Sequence, residues 1–472
     1  MFNNLSNYKI MNLKKYSLIV LLSPIILNSI INILSTVNLK QIIENNLMNI
    51  CSFFLAFLFY YCLSSSINNL LSLNSRSLSL VFFFTSFFII DLIFLPITKL
   101  FLFSNTFYVT IIIWLLFFIL KLKPLRVIYL MISYFSLRLF NNIYFKNITL
   151  KNEYVELNTD VTVQWLPLAK IIYENNYFFA LENNLIEGQS LFLSYIQSLI
   201  NFINFQTEEF LFFNLNSNIF ILFGILLIFD LQIEYKNKIF SSLVLIFLFL
   251  NNDWLYYLFV NSLMLEGLVS FFIAAYLMNF DRFKESNGSL SNIYYLFFGT
   301  MALTKQFVSL TFLLFCFIGL VIYKNKVNYL VALIPFGLKS FYQFIYFRKT
   351  HYATYTNDLD YVDLIFDIIL FRDLNLDNIF LIVKNFWIDK PTSLIFVYFF
   401  LFLIFNLFKT RNVNQIYLSK NLFIVSNIFF VFILYISYWQ NIELESSYRY
   451  ILNMFNLVYL GLISDLDSFE KT

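Results

Sequence analysis

The sequence predicts an all-α fold, a polytopic helical membrane protein with about 13–14 transmembrane helices and two large outward-facing loops. Three observations carry that expectation. Only 12% of the 472 residues are charged and 60% are hydrophobic, against roughly 25% charged in an ordinary globular domain. Apolar runs of about 18 residues or more recur along the whole length, more than a soluble core could hide. The runs are continuous and do not alternate at period two, which argues against a β-barrel.

Helices are expected first at 16–38, 49–71, 78–96, 103–120 and 124–140. A second set is expected at 209–230, 238–257, 259–279, 291–304, 306–323, 327–346, 391–408, 421–438 and 447–464. The chain thus divides into N-terminal membrane helices (1–140), a first outer loop with surface helices (141–208) and central membrane helices (209–346). A second outer loop (347–390) and C-terminal membrane helices (391–472) complete it. Within the first loop, 191–205 reads as a surface helix. Lys9, Lys14 and Lys15 precede the first apolar run as they would in a signal peptide. That run is too long for a typical h-region and lacks a clear small-residue cleavage site, so it reads as a retained helix.

Lysine and arginine placement sets the expected orientation. With a cytoplasmic N-terminus, the short cytoplasmic connections hold Arg76, Lys121, Lys123, Arg126, Lys236, Lys238, Arg282, Lys284, Lys324, Lys326, Lys409, Arg411 and Lys420. Both long loops then lie on the opposite side with most of the carboxylates, including Asp358, Asp360, Asp363, Asp367, Asp373, Asp377 and Asp389 in the second. The pair 291–304 and 306–323 is unusual. Fourteen helical residues reach only about 21 Å, short of a hydrocarbon core of about 30 Å. The turn Thr304-Lys305-Gln306 is therefore expected at or below the outer interface.

Other compositional features exclude more than they suggest. The excess of Phe, Ile, Asn and Tyr follows from AT-rich codons and carries no functional weight. A net charge of +3 points to no nucleic-acid partner. Cys51, Cys62 and Cys316 lie inside apolar segments, which supports neither a disulfide framework nor a thiolate metal site. Secondary transporters use broken helices and symmetric halves; with eight Gly and six Pro and no visible repeat, this chain offers little of either.

The candidate chemistry centres on Glu153–Ser190, a polar stretch holding Glu153, Glu156, Asp160, Glu174, Glu182 and Glu187. After Asp160, the residues Trp165, Leu168, Ala169 and Ile172 fall at helical spacing on one face, which predicts a helix lying on the membrane surface. An ionised Asp160 at its start could take a proton from an acceptor hydroxyl as general base, or could simply cap the helix. Glu156 is a second carboxylate with a weaker case. Lys305 either neutralises a phosphate or snorkels to the headgroups. Glu266, inside an apolar segment, needs a partner or a cavity, and Lys305 is one such partner. His351 is the single histidine and supports no histidine metal site. The literal Asp-x-Asp pattern occurs at Asp358-Leu359-Asp360 and Asp465-Leu466-Asp467. Two occurrences in one chain show how cheap that pattern is, so no divalent metal or other cofactor is supported by it.

These segments, taken in order, resemble the GT-C superfamily of membrane glycosyltransferases. The stretch N-T-D-V-T-V-Q-W-L-P-L-A-K-I-I-Y-E-N-N resembles the start of that family's first outer loop, where an acidic residue acts as catalytic base; Asp160 is the matching position. N-S-L-M-L-E-G-L at 261–268 is similar to a mid-membrane segment with an acidic residue, here Glu266. M-A-L-T-K-Q-F-V-S-L at 301–310 resembles a short hairpin with Lys305 in the polar position. E-S-S-Y-R-Y-I-L-N-M-F-N-L at 445–457 resembles the entry into a late helix, with Arg449 and Tyr450 matching. The chain departs from the family in placing about five helices before the loop instead of one, and in following Asp160 with Val161 and not a second acid.

The resemblance, which covers 153–464, implies a polyprenyl-phosphate-sugar-dependent enzyme like the protein mannosyltransferase and aminoarabinose transferase types. It implies a bacterial inner-membrane location and a glycan, lipid or protein acceptor on the outer face. Lys305 and Arg449 would then offset the charge of the departing phosphate, with Glu156, Glu266 and Tyr450 beside the substrate. Arg449 has the plainer readings of an interfacial anchor or an ion pair with Glu443 or Glu445. A lipid-linked polysaccharide polymerase is the alternative enzyme class, and a non-enzymatic flippase the alternative outside enzymes.

Overall fold

The fold is described by a computed structural model covering residues 39–147, 166–182, 191–204, 226–227, 230, 266–283, 288–304, 306–322, 326–347, 377–384, 415–437 and 454. Among the described residues every regular element is helical. The first five are α1 (Leu39–Leu71), α2 (Arg76–Ile93), α3 (Leu95–Thr98), α4 (Phe103–Lys121) and α5 (Pro124–Asn147). The next three are α6 (Leu166–Glu174), α7 (Tyr177–Glu182) and α8 (Phe192–Asn204). There follow α9 (Glu266–Phe283), α10 (Ser289–Phe298) with a 3₁₀ turn at Gly299–Leu303, and α11 (Gln306–Ile322). The last are α12 (Lys326–Tyr342) with a π turn at Gln343–Phe347, α13 (Asp377–Val383) and α14 (Gln415–Ser437). The helices expected at 16–38, 238–257, 391–408 and 447–464 lie outside the described residues, apart from Met454. So does the one expected at 209–230, apart from Leu226, Leu227 and Asp230.

Three of these helices, Phe54–Leu71 within α1, Arg76–Ile93 and Phe103–Lys121, are long and apolar enough to cross a membrane. Their surfaces explain why the chain needs one. On α5, Leu125, Ile128, Tyr129, Ile132, Phe135, Leu139 and Ile143 form an exposed stripe at helical spacing, and α4 exposes Val109, Ile112, Leu116, Phe117 and Leu120. A continuous apolar face of that extent is not stable against water. This is a membrane protein.

The bundle is built on α2. Its sequence is apolar on every side, and a helix of that kind belongs in the centre; fifteen of its eighteen residues are buried. Helix α1 returns antiparallel to it, with Tyr60 beside Phe84 (6.1 Å between ring centroids). Helix α9 is also antiparallel: Tyr276 reaches Thr85 (3.2 Å) and Asn279 reaches Ser75 (3.3 Å). Farther on, Arg282 donates to the carbonyls of Ser72 (2.6 Å) and Leu73. That guanidinium holds a turn in which Ser72 and Asn74 both adopt positive φ (51° and 55°), a conformation that exposes carbonyls and calls for a donor.

Helices α10 and α12 run parallel, with α11 between them in sequence. Asn328 lies against Ser291 (3.5 Å), and Gly299 lies against Ala332 and Pro335. Pro335 interrupts the ladder of α12 and frees a carbonyl. Gly299 fits there because a Cβ would strike the Ala332 carbonyl and come within 2.9 Å of Pro335 Cδ. The short expected helix 291–304 is thus a ten-residue α-helix continued by a 3₁₀ turn. The steeper rise of that turn extends it to about 25 Å.

One expectation is corrected. The segment read as a surface helix, Phe192–Asn204, is buried along its entire length. The bundle meets part of its polar set, while Gln197 Oε1 and Asn201 Nδ2 are buried without a hydrogen-bond partner among the described residues. Ser198 donates to Ala169 O (2.6 Å), Asn204 accepts from Tyr60 Oη (3.1 Å), and Asn141 donates to Asn204 O (3.1 Å) while accepting from Ser52 (2.7 Å).

The Gly299–Pro335 contact predicts that Gly299→Val will overpack the seam and cost about 1–3 kcal/mol. Thermal unfolding of the detergent-solubilised protein measures this; an unchanged midpoint would show that the two helices can part without penalty.

Candidate functional site

The carboxyl end of α2 gathers a buried carboxylate and two buried phenols, those of Asp91, Tyr177 and Tyr195. Asp91 stands near the end of a helix otherwise free of charge after Arg76, and is 2% exposed. Its Oδ2 accepts a hydrogen bond from Tyr195 of α8 (2.7 Å). Burial, with the nearby Asp91 carboxylate adding to it, pushes the Tyr195 hydroxyl well above the usual tyrosine range, so this phenol keeps its proton and donates. Tyr177 of α7 is pushed the same way for the same two reasons. Its ring meets Phe88 (5.2 Å) and Tyr195 (6.0 Å) edge to face.

Asp91 Oδ1 and Tyr177 Oη have no hydrogen-bond partner among the described residues. The Thr106 hydroxyl, which also faces Asp91, donates within its own helix to Phe103 O (2.9 Å). Two unsatisfied oxygens inside one aromatic box would accommodate a shared water or a small polar group.

Around this box several helix ends converge. Asn176 caps α7, accepting from Phe179 N (2.8 Å), and donates to Lys99 O (3.2 Å) and Phe101 O (3.0 Å). Phe103 N donates to Asn175 O (2.6 Å), fixing the start of α4. Tyr342 of α12 donates to Ile93 O (3.2 Å). The Lys99 ammonium lies over the rings of Tyr346 (4.8 Å) and Phe178 (5.7 Å). Helix α6 packs on α8 through Leu168, Ala169 and Ile172, all buried as the spacing predicts, while Lys170 and Glu174 pair on the outside (3.5 Å). Pro167 falls in the first turn of α6, where its missing N–H leaves no bond unmade.

Of the residues singled out from sequence, Glu266 is the first residue of α9, and antiparallel packing starts that helix at this same end. Thr304, buried, and Gln306 flank Lys305 and mark the end of the 3₁₀ turn and the start of α11. Asp160, Glu156, Lys305, Arg449, Tyr450 and the side chain of Glu266 lie outside the described residues, as do Trp165, His351 and both Asp-x-Asp patterns. Sequence reasoning passed over Asp91, Asp230 and Lys339. Each is an ionisable residue within an apolar run, and that alone marks a candidate.

The opposite end is different in charge. Arg76 begins α2, Lys121 ends α4, Lys123 and Arg126 follow, Arg282 ends α9 and Lys326 begins α12. Asp230 is buried there against the start of α2. It accepts from Arg76 N (2.8 Å), Ser77 N (2.8 Å), Ser75 Oγ (2.9 Å) and Ser77 Oγ. No protein family, curated protein or solved structure matches this chain.

The Asp91–Tyr195 bond predicts that Asp91→Leu will leave a buried phenol unpaired and cost about 1–3 kcal/mol. Asp91→Leu combined with Tyr195→Phe should recover most of that loss, since removing both partners strands neither. A double-mutant cycle on thermal unfolding reads the difference; strictly additive losses would mean the bond contributes nothing.

Proposed function

We propose that this chain is a polytopic membrane glycosyltransferase that moves a sugar from a polyprenyl-phosphate donor to an acceptor at the outer face. The two large loops belong to that face, and the basic end of the bundle faces the cytoplasm. The observation carrying this reading is the division between the two ends. Arg76, Lys121, Lys123, Arg126, Arg282 and Lys326 gather at one end, as the positive-inside rule requires of a cytoplasmic side. The other end holds α6, which follows Asp160, the start of α9 at Glu266, and the residues flanking Lys305.

In the proposed reaction the acceptor oxygen attacks the anomeric carbon while the bond from that carbon to the phosphate oxygen breaks. The bonding pair leaves with the polyprenyl phosphate, and the configuration at the sugar inverts. Asp160 takes the acceptor proton as general base. Lys305 and Arg449 offset the negative charge that grows on the phosphate, Arg449 by bidentate contact. Glu156, Glu266 and Tyr450 hold the substrate or the cations.

Transfer from a panel of radiolabelled polyprenyl-phosphate sugars in proteoliposomes tests this reading. Asp160→Asn is expected to lower turnover by about 10²–10⁴-fold, the contribution typical of a general base. Full activity in that variant would refute the assignment. Loss of polymer chain length in cells lacking the protein, with single sugar additions intact, would favour the polymerase class.

A further inference from the structure

The π-terminated helix α12 buries a cation where its pattern calls for an apolar residue. Asn328, Tyr329, Ala332, Pro335, Lys339 and Tyr342 are its buried residues. Most fall on one stripe at three- and four-residue spacing, directed at α10, the 3₁₀ turn and α2. Ala332 and Pro335 meet Gly299, and Tyr342 meets Ile93. Lys339, between them, is 5% exposed. Among the described residues no carboxylate lies within ion-pairing distance of it; Lys170–Glu174 is the ion pair found there.

The register gives its level. From the Gly299 contact, the 3₁₀ turn climbs about 2.0 Å per residue toward Thr304, while α12 climbs about 1.5 Å per residue. Lys339 therefore comes level with the end of the 3₁₀ turn, next to which Lys305 stands in the chain. A lysine inside an apolar bundle, without a described counter-ion, is a costly arrangement unless an anion joins it. An anion would reach it from the same end of the bundle, the end that carries Lys99 over Tyr346 and Phe178.

We propose that Lys339 binds a lipid-borne phosphate in the seam between α12, the 3₁₀ turn and α2. This rests on the transferase reading for the identity of its natural occupant, a polyprenyl phosphate, with Lys339 holding the group from inside the bundle. A phosphate carried by a membrane lipid would satisfy the same chemistry, and the test separates the two.

Native mass spectrometry of the full-length protein in detergent, with polyprenyl phosphate and phosphatidylglycerol as separate probes, measures retention of each. Lys339→Gln should weaken polyprenyl-phosphate binding by about tenfold or more, the effect of losing a charged hydrogen bond, and Lys339→Arg should restore most of it. If phosphatidylglycerol retention falls equally, the site is upheld as a lipid-phosphate site with a bulk headgroup as occupant. If Lys339→Gln retains both probes at the wild-type level, the proposal is overturned. Should that variant aggregate, competition on the wild-type protein decides: polyprenol lacking phosphate must fail to displace polyprenyl phosphate, and equal displacement overturns the proposal. Failure of the transferase reading is distinguishable. It would appear as polyprenyl-phosphate binding lost in Lys339→Gln with no sugar transfer by the wild type. Failure of this site alone would appear as wild-type transfer with Lys339→Gln binding unchanged.

Discussion

Asp230 closes the amino end of the helix on which the rest of the described bundle packs. A helix leaves its first N–H groups without partners, and one surrounded by protein cannot hand them to water. The Asp230 carboxylate takes two backbone N–H groups and two serine hydroxyls at that end, where the helix dipole also favours a negative charge. At the other end of α2, Asp91 engages Tyr195 and Tyr342 engages Ile93 O. Both partners come from segments distant in sequence. The central helix can therefore be buried only once 195, 230 and 342 have arrived, which couples its stability to most of the chain.

That coupling explains what could and could not be read from residues alone. The apolar runs and their polar breaks located the helices, because length and hydropathy are local properties; α2, α4, α11 and α12 begin and end within a few residues of expectation, while α5 starts where expected and runs on to Asn147. Leu168, Ala169 and Ile172 were legible for the same reason, since three residues at helical spacing define a face. The fate of Phe192–Asn204 was not legible. Its sequence is amphipathic, and whether its Ser, Gln and Asn residues meet water or Tyr60, Asn141 and Ala169 depends on partners far along the chain. The 3₁₀ turn was equally hidden, being set by the approach of Gly299 to Pro335. Of the candidate site, sequence supplied the residues, while the described structure supplies where their neighbouring helix ends meet.

The arrangement of charge follows from solvation. Cations at the Arg76 end stand at helix termini, where they reach water or headgroups. At the other end two cations are held against protein: Lys99 over two aromatic rings and Lys339 inside the stripe of α12. An ammonium over ring faces retains attraction without a carboxylate, so Lys99 keeps its charge available to whatever approaches that end. The aromatic content, which carries no functional message as composition, acquires a local role there.

The burial of α8 also bears on biosynthesis. Thirteen residues are too few to cross a bilayer, so this segment cannot be threaded as a span when it leaves the ribosome. Its contacts with α1, α2, α4, α5 and α6 are all to segments made before it, whereas Phe272, which stacks on Phe192 (5.5 Å), follows later. At a synthesis rate of roughly 5–20 residues per second, that delay is several seconds. The helix must then settle into a cradle already assembled and wait for α9 to cover it, so chain order dictates the order of assembly.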